Sequence, residues 1–250
     1  VVDGLILDEY CEKHIKEPIE KRGIDSNVWI WEPPNYTKDY VVCADVSRGD
    51  SSDYSAFHVL DIESLEQVAE YKGRMSTRDY GNLLVNIATE YNNALLVIEN
   101  NNIGWEDLQV VDVHRQINNK INRAEKGLVP GFTLTSKTRP LVIAKLEEFF
   151  REKSVIVHSQ RLIDELFVFI YNGSRAEAMR GYNDDLVMSF SMGLWIRETA
   201  LRLRAEGIEL QKTAINNINS HKGVYTTQTN QNNSWTMTVD KQEEDLTWLI

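Results

Sequence analysis

The chain has 250 residues, of which 42% are hydrophobic and 26% charged, a composition typical of a folded globular protein rather than a disordered one. No apolar run approaches the roughly 18 residues that a membrane helix needs, and two cysteines are too few for a disulfide scaffold or a four-cysteine zinc site. The net charge of −11 argues at first against a nucleic-acid partner, but residues 41–204 carry 23 acidic and 19 basic residues, a balance compatible with a local basic groove.

Residues 1–40 have the pattern of a lead-in segment. A loose apolar stripe predicts a charged helix over 1–28, and the segment 29–34 breaks it before the first strong strand. The chain begins at Val1 without an initiator Met or a signal peptide, so we expect a fragment of a longer protein. With Cys11 and Cys43 as the only cysteines, we expect a reducing, cytosolic compartment.

Three strands are predicted next. Residues 41–46 are apolar and β-branched, which indicates a buried strand. Residues 54–62 and 66–74 alternate with period two, so we expect an antiparallel meander.

The hydrophobic period then changes to that of a helix. Ser76 resembles an N-cap, and an apolar face predicts a helix that ends near Tyr91. The apolar strand 94–99 follows, and a helical crossover normally places such a strand parallel to a neighbour in the same sheet.

The rest of the chain is predicted to be mainly helical. The expected elements are helices at 104–117, 139–152, 163–170 and 184–204, a polar insertion at 118–135 and a short strand at 154–158. Because residues 216–238 are rich in Asn, Gln and Thr, we expect 205–250 to form a flexible or partner-ordered tail. The fold class is therefore α/β, a mixed sheet flanked by helices over 41–204.

Carboxylates in apolar surroundings are the main functional signal. Asp45 lies inside one apolar strand and Glu99 ends another, and burying an unpaired carboxylate costs several kcal/mol. If the two strands are parallel neighbours, these acids face each other at one end of the sheet, where a divalent cation would relieve their repulsion. Asp184 and Asp185 bring further carboxylates at the start of the last helix.

Oxygen ligands without His or Cys favour Mg²⁺ or Mn²⁺ over zinc. Two such ions about 4 Å apart hydrolyse phosphodiesters, so the cluster predicts a two-metal nuclease in which Asp45 bridges both ions. Helical periodicity favours Asp184 over Asp185 as the third ligand, and Asp53 is a candidate outer ligand. No Ser–His–Asp or Cys–His arrangement competes, and without a GxxxxGK[ST] loop we expect no ATP hydrolysis by this chain.

Each acid also has an ordinary structural explanation. Asp45 can cap backbone amides at a strand end, Glu99 can pair with an arginine, and Asp53 can be a solvated turn residue. Asp184 or Asp185 can be a simple helix N-cap. Their joint occurrence, in this order and on these elements, is what favours the metal cluster.

Three segments resemble the C-terminal nuclease domain of large terminase subunits from tailed bacteriophages, particularly the T-even-like group. They are VVCADVSRGDSSDYSAFHVLD at 41–61, ALLVIENNNIG at 94–104 and GYNDDLVMSFSMGLW at 181–195. The resemblance covers roughly 40–200 and implies a ribonuclease H-like fold and an endonuclease that cuts concatemeric viral DNA during packaging.

The same resemblance implies roles for particular residues. It implies catalytic carboxylates at Asp45, Glu99 and the Asp184–Asp185 pair, with Asp53 as a further acid of the family. Its relatives often have a His before the aspartates, where this sequence has Asn183.

The resemblance also implies partners. They are double-stranded DNA, the portal, the small terminase subunit, and an N-terminal ATPase domain to which residues 1–40 would be the linker. The expected location is the cytoplasm of a phage-infected bacterial cell, with no membrane association.

Basic residues near the acids are candidates for binding DNA phosphates, with a solvated basic surface as the alternative. They are Arg48, Lys137, Arg139, Lys120, Arg123 and Lys126. No basic patch interleaved with aromatic residues is present, so we expect no strong sequence preference.

Two other functions fit the same sequence. A different ribonuclease H-like nuclease, of resolvase or transposase type, would prefer branched or end-specific DNA. A non-catalytic docking module that binds the portal or motor would have vestigial carboxylates and no affinity for Mn²⁺ above surface background.

Overall fold

The computed structural model describes residues 1–23, 25–47, 54–99, 132, 134–197 and 201, and the backbone of 236–239 and 242–245. The chain divides into two compact units, Val1–Arg204 and Ala205–Ile250. Among the helices described, none is both long and apolar enough to cross a bilayer.

The first unit is built on a six-stranded sheet with the strand order β1-β2-β5-β4-β3-β6. Its strands are β1 (Glu20–Arg22), β2 (Val28–Ile30), β3 (Tyr40–Asp45), β4 (Ser55–Asp61), β5 (Gln67–Gly73) and β6 (Leu95–Ile98). The helices are α1 (Gly4–Lys13), α2 (Thr77–Glu90), α3 (Thr138–Arg151), α4 (Gln160–Val168) and α5, which is helical over 185–197. A separate hairpin pairs β7 (Phe169–Asn172) with β8 (Arg175–Ala178).

The central strands follow the predicted topology. β3, β4 and β5 pair antiparallel as a meander. α2 then leads to β6, which pairs in parallel with β3 as the crossover predicts. The Ser76 side chain accepts from the backbone N–H of Asp79 at 3.2 Å, which confirms the predicted N-cap.

The sheet is buried on both faces. Alternate residues of β3 and β4 contribute to two apolar clusters, one on each face. α2 covers one face, whereas α1, α3, α4 and α5 pack against the other. This arrangement confirms the predicted mixed sheet flanked by helices.

The lead-in segment differs from the prediction. Its helix spans Gly4–Lys13 only, and the chain then adds β1 and β2 to the sheet beside β5. Pro18 prevents a helix from continuing to residue 28, because proline disfavours helical conformation in the residue before it and cannot donate a helical hydrogen bond. The connection of residues 1–40 to another domain stays a prediction.

Two further elements differ. The strand predicted at 154–158 is only an isolated bridge between Glu66 and Ile156. The helix predicted at 163–170 spans Gln160–Val168 and leads into β7, where Phe169, Ile170 and Tyr171 favour a strand and Gly173 makes the turn at φ 64°. The sequence pattern does not predict this hairpin, because its apolar residues continue the helical run.

Other predicted elements lie partly or wholly outside the described residues. These are the helix at 104–117, most of the insertion at 118–135 and the end of the last helix. In the second unit, β9 (Thr236–Val239) pairs antiparallel with β10 (Gln242–Asp245). The flexibility of the tail stays a prediction.

A buried polar network ties the sheet to α4 and α5. The Gln67 amide nitrogen lies 2.9 Å from Nδ1 of His58 and 3.0 Å from Oε2 of Glu70, and both partners are fully buried. The other ring nitrogen of His58 lies 3.1 Å from the carbonyl oxygen of Leu186, and Arg161 donates to Glu70 at 2.8 Å. Burial lowers the pKa of His58 to about 4, so the ring is neutral and donates from Nε2 to Leu186.

This burial predicts a pH-dependent contribution to stability. The pKa of His58 falls from an ordinary 6.5 to about 4, so unfolding takes up a proton between these values. Relative to His58→Gln, the free energy of unfolding of the wild type should decrease as the pH falls from about 6.5 towards 4, by at most about 1.4 kcal/mol per pH unit. Urea titrations at several pH values measure this difference, and a pH-independent difference would contradict the assignment.

Gly193 lets α5 approach the sheet closely. A Cβ atom at this position would lie 2.7 Å from Cδ1 of Leu60 and 3.3 Å from Sγ of Cys43, both fully buried. We expect Gly193→Val to destabilise the unit by about 1–3 kcal/mol, because an overpacked core must distort. Gly4→Ala in α1, where nothing lies within 4 Å, is the control for denaturant unfolding. Equal stability of the two variants would show that the contact is easily relaxed.

Candidate functional site

The parallel pairing of β3 and β6 brings Asp45 beside Glu99. Ala44 lies opposite Ile98 in the ladder, and the N–H of Glu99 donates to the carbonyl oxygen of Ala44 at 2.9 Å. Because side chains alternate along a strand, the two acids lie on the other face from Ala44 and Ile98, where α5 packs. The two carboxyl groups share a hydrogen bond.

This pair is electrostatically strained. Burial raises the pKa of Asp45 well above its ordinary range, and repulsion from Glu99, Asp185 and Asp184 raises it further. Glu99 is only 5% exposed. The pair therefore concentrates negative charge at one end of the sheet, where a divalent cation would balance it.

Asp184 lies immediately before α5. Its carbonyl oxygen accepts from the N–H of Met188 at 2.8 Å, and its carboxylate accepts from Nη2 of Arg139 at 2.7 Å. Helical periodicity favoured Asp184 over Asp185 as a ligand. That argument does not apply to Asp184, because α5 begins at Asp185.

Asp185 is the first helical residue of α5 and is half-buried. Its carboxylate accepts from the Asn183 amide at 3.1 Å and from the backbone N–H of Tyr54. Burial raises the pKa of Asp185, and these hydrogen bonds partly offset the effect. Asp185 raises the pKa of Asp45 more than Asp184 does, so the structure couples Asp45 more strongly to Asp185.

Two residues beside the acids were not predicted from the sequence. Glu165 of α4 is 7% exposed, and its Oε2 accepts from the N–H groups of Leu186 at 2.9 Å and Val187 at 3.2 Å. Its Oε1 accepts from Lys72 of β5. Burial raises the pKa of Glu165 to about 7, against the opposing effect of Lys72. The sequence signal that could have identified Glu165 is its position as an acidic residue on the apolar face of α4.

A pocket of about 480 Å³ opens beside Glu99. Arg139 lines it from α3, and Nη2 of its guanidinium also lies 3.4 Å from the carbonyl oxygen of Ala176. Nε of Arg139 is buried and has no hydrogen-bond partner among the described residues. Lys137 is exposed at the N-terminus of the same helix.

The remaining predicted site residues fall outside the described part of the chain. They are Arg48, Asp53, Lys120, Arg123 and Lys126. On either side of Arg48 and Asp53, the described residues Ser47 and Ser55 are joined by a hydrogen bond, in which the N–H of Ser47 donates to the hydroxyl of Ser55 at 3.1 Å.

The acids fit a divalent cation by their chemistry. Within the described ranges, no three His, Cys, Asp or Glu side chains are placed to ligate one ion together. The gathered groups are nevertheless all carboxylates, and repulsion from Glu99 raises the pKa of Asp45. Oxygen donors with excess negative charge suit Mg²⁺ or Mn²⁺.

No protein-family model matches the chain. The solved structure of the large terminase nuclease from thermophilic phage G20c is 21% identical and superposes with a TM-score of 0.58, over 75% of this chain and 96% of that chain. The same nuclease with bound magnesium superposes with a TM-score of 0.59 at 20% identity, over 75% and 95% of the two chains.

The nuclease domain of the Thermus phage P74-26 large terminase gives a similar result, with a TM-score of 0.56 at 20% identity over 75% of this chain and 93% of that chain. The T-even-like grouping stays a prediction. The chain therefore has the ribonuclease H-like fold found in the nuclease domains of phage large terminases.

Proposed function

We propose that this chain is the metal-dependent endonuclease domain of a viral DNA-packaging terminase, which cleaves concatemeric double-stranded DNA by two-metal phosphodiester hydrolysis. The observation that carries the proposal is the hydrogen-bonded pair of Asp45 and Glu99 at the ends of adjacent parallel strands, with Asp184 and Asp185 close enough to perturb it. The structural likeness to terminase nucleases supports the same function.

Asp45, Glu99, Asp185 and Asp184 would hold two Mg²⁺ or Mn²⁺ ions, with Asp53 as a further candidate ligand. When bound, such ions lower the pKa of an attacking water and stabilise the leaving oxygen. The chain's own residues supply the rest. The strands fix Asp45 and Glu99, and the N-terminus of α5 stabilises negative charge on its two aspartates.

Arg139 is placed to bind a DNA phosphate. Its guanidinium lies between Asp184 and the pocket beside Glu99, and its buried Nε keeps a donor without a partner among the described residues. Arginine binds phosphate oxygens through several donors at once, and such contacts position DNA without reading its sequence. Lys137, Arg48, Lys120, Arg123 and Lys126 are proposed as further phosphate contacts.

The proposed setting follows from the same assignment. The domain would follow an ATPase motor domain, act with the portal and the small terminase subunit, and operate in the cytoplasm of an infected bacterial cell.

Removing one acid should abolish cleavage while leaving the fold intact. We expect Asp45→Asn and Glu99→Gln to reduce Mn²⁺-dependent nicking of supercoiled plasmid by more than the 10- to 100-fold typical of groups that only support metal ligands. Without metal, Asp45→Asn should be as stable as the wild type or more stable, because a neutral amide is not repelled by Glu99. Thermal unfolding and nicking assays measure the two effects.

Glu148→Gln, at a half-buried carboxylate of α3 that pairs with Lys145, is the control and should cut normally. Cleavage by Asp45→Asn at the wild-type rate would contradict the proposed site. A folded wild type that neither cuts nor binds Mn²⁺ would favour the docking-module alternative.

The role of Arg139 predicts a change in salt dependence. Because each phosphate contact releases counterions, Arg139→Gln should weaken DNA binding and reduce the slope of log K against log salt by about 1. Fluorescence anisotropy with duplex DNA at several salt concentrations measures this slope. Arg151→Gln, an exposed arginine at the far end of α3, should leave it unchanged. An unchanged slope in Arg139→Gln would show that Arg139 binds no DNA phosphate and that its role is the ion pair with Asp184.

A further inference from the structure

We infer that Glu165 is a positioning residue for the Asp184–Asp185 pair and that Lys72 holds it in place. The inference rests on the proposed function, because it concerns how these two aspartates are presented to a divalent cation.

Glu165 fixes the backbone directly after Asp185. One carboxylate oxygen accepts from the N–H groups of Leu186 and Val187, which are free donors at a helix start. The carbonyl oxygen of Leu186 accepts from His58 on the sheet. Both polar backbone groups of Leu186 are therefore held by buried side chains, so the peptide that follows Asp185 is restrained from two sides.

The charges that hold Glu165 match in spacing as well as in sign. Glu70 and Lys72 are two residues apart on β5, and Arg161 and Glu165 are four residues apart on α4. Two strand residues span roughly 6.6 Å and four helical residues roughly 6.0 Å. Each strand charge therefore meets its opposite on the helix, Glu70 with Arg161 and Lys72 with Glu165. With Lys72 on one side, the carboxylate of Glu165 lies at the start of α5, where it contacts Leu186 and Val187.

The location of Glu165 is not one that the stability of the fold would favour. The neighbouring Asp185 repels it, and burial disfavours its charge. Apolar residues can replace a buried ion pair with little loss of stability, and often with a gain. A carboxyl acceptor placed here instead restrains the segment that carries the proposed metal-binding aspartates, which is the role of groups that orient metal ligands in other proteins.

The test compares Mn²⁺ binding by the wild type with Glu165→Ala, Glu165→Gln and the control Asp164→Asn. Asp164 is the exposed neighbour on α4, and its carboxylate accepts only from Gln160 among the bonds described, at 2.8 Å. Isothermal titration calorimetry gives the dissociation constant of folded protein at a temperature where circular dichroism shows every variant intact. The Mn²⁺ concentration for half-maximal nicking is the second readout.

Glu165→Ala should bind Mn²⁺ about 10- to 100-fold more weakly. Glu165→Gln should stay within about threefold of the wild type, because its amide oxygen still accepts from the backbone, although uncharged hydrogen bonds are weaker. Asp164→Asn should match the wild type. A merely structural role would lower the melting temperature of Glu165→Ala and leave its Mn²⁺ affinity unchanged, which would overturn the inference.

Glu165→Asp replaces the alanine variant if that protein does not fold, since it draws the carboxylate back by one methylene and should weaken binding similarly. Failure of both to fold would also overturn the inference, because Glu165 would then be needed for the fold as a whole. If the wild type itself binds no Mn²⁺, it is the proposed function that fails. If the wild type binds Mn²⁺ and Glu165→Ala binds it more weakly, the result supports both the proposed function and the role of Glu165.

Discussion

The free-energy cost of gathering carboxylates at one end of the sheet is the constraint on which the rest of the site depends. Asp45 and Glu99 are brought together by strand pairing, which cannot relax to separate them without breaking the ladder. In surroundings with little water their repulsion is strong. This repulsion raises the pKa of Asp45, and the proposed role of a dication is to balance the same negative charge.

The remaining acids are presented by a helix whose distance from the sheet is set inside the core. Gly193 permits close contact between α5 and two buried side chains of the sheet. His58 and Glu165 hold the first turn of the same helix by its backbone. Packing and polar contacts thus act on one element, and together they bring Asp185 within electrostatic reach of Asp45. The position of Asp185 is therefore determined by buried contacts of α5 with the sheet and with α4.

Sequence patterns predicted the elements whose signal is local. The meander, the Ser76 cap and the parallel strand β6 follow from period, capping residues and crossover rules. The pairing of Asp45 with Glu99 follows from the same topology.

What escaped prediction depends on contacts distant in sequence. Glu165 interacts with Lys72 and with Leu186, and no periodicity in α4 indicates either partner. Helical periodicity could not decide between Asp184 and Asp185, because the residue at which α5 begins is not evident from the sequence. The β7–β8 hairpin was missed since its apolar residues fit a helix as well as a strand.

The parallel pairing of β3 with β6 also governs when the site can exist during folding. Asp45 and Glu99 meet only after a whole crossover has formed, and Asp185 joins them from a helix 86 residues further along the chain than Glu99. Contacts so distant in sequence form late, because chain entropy opposes them until the local elements are in place. A partly folded or still growing chain therefore lacks the complete cluster, and any hydrolytic power of the cluster is confined to molecules that have finished folding.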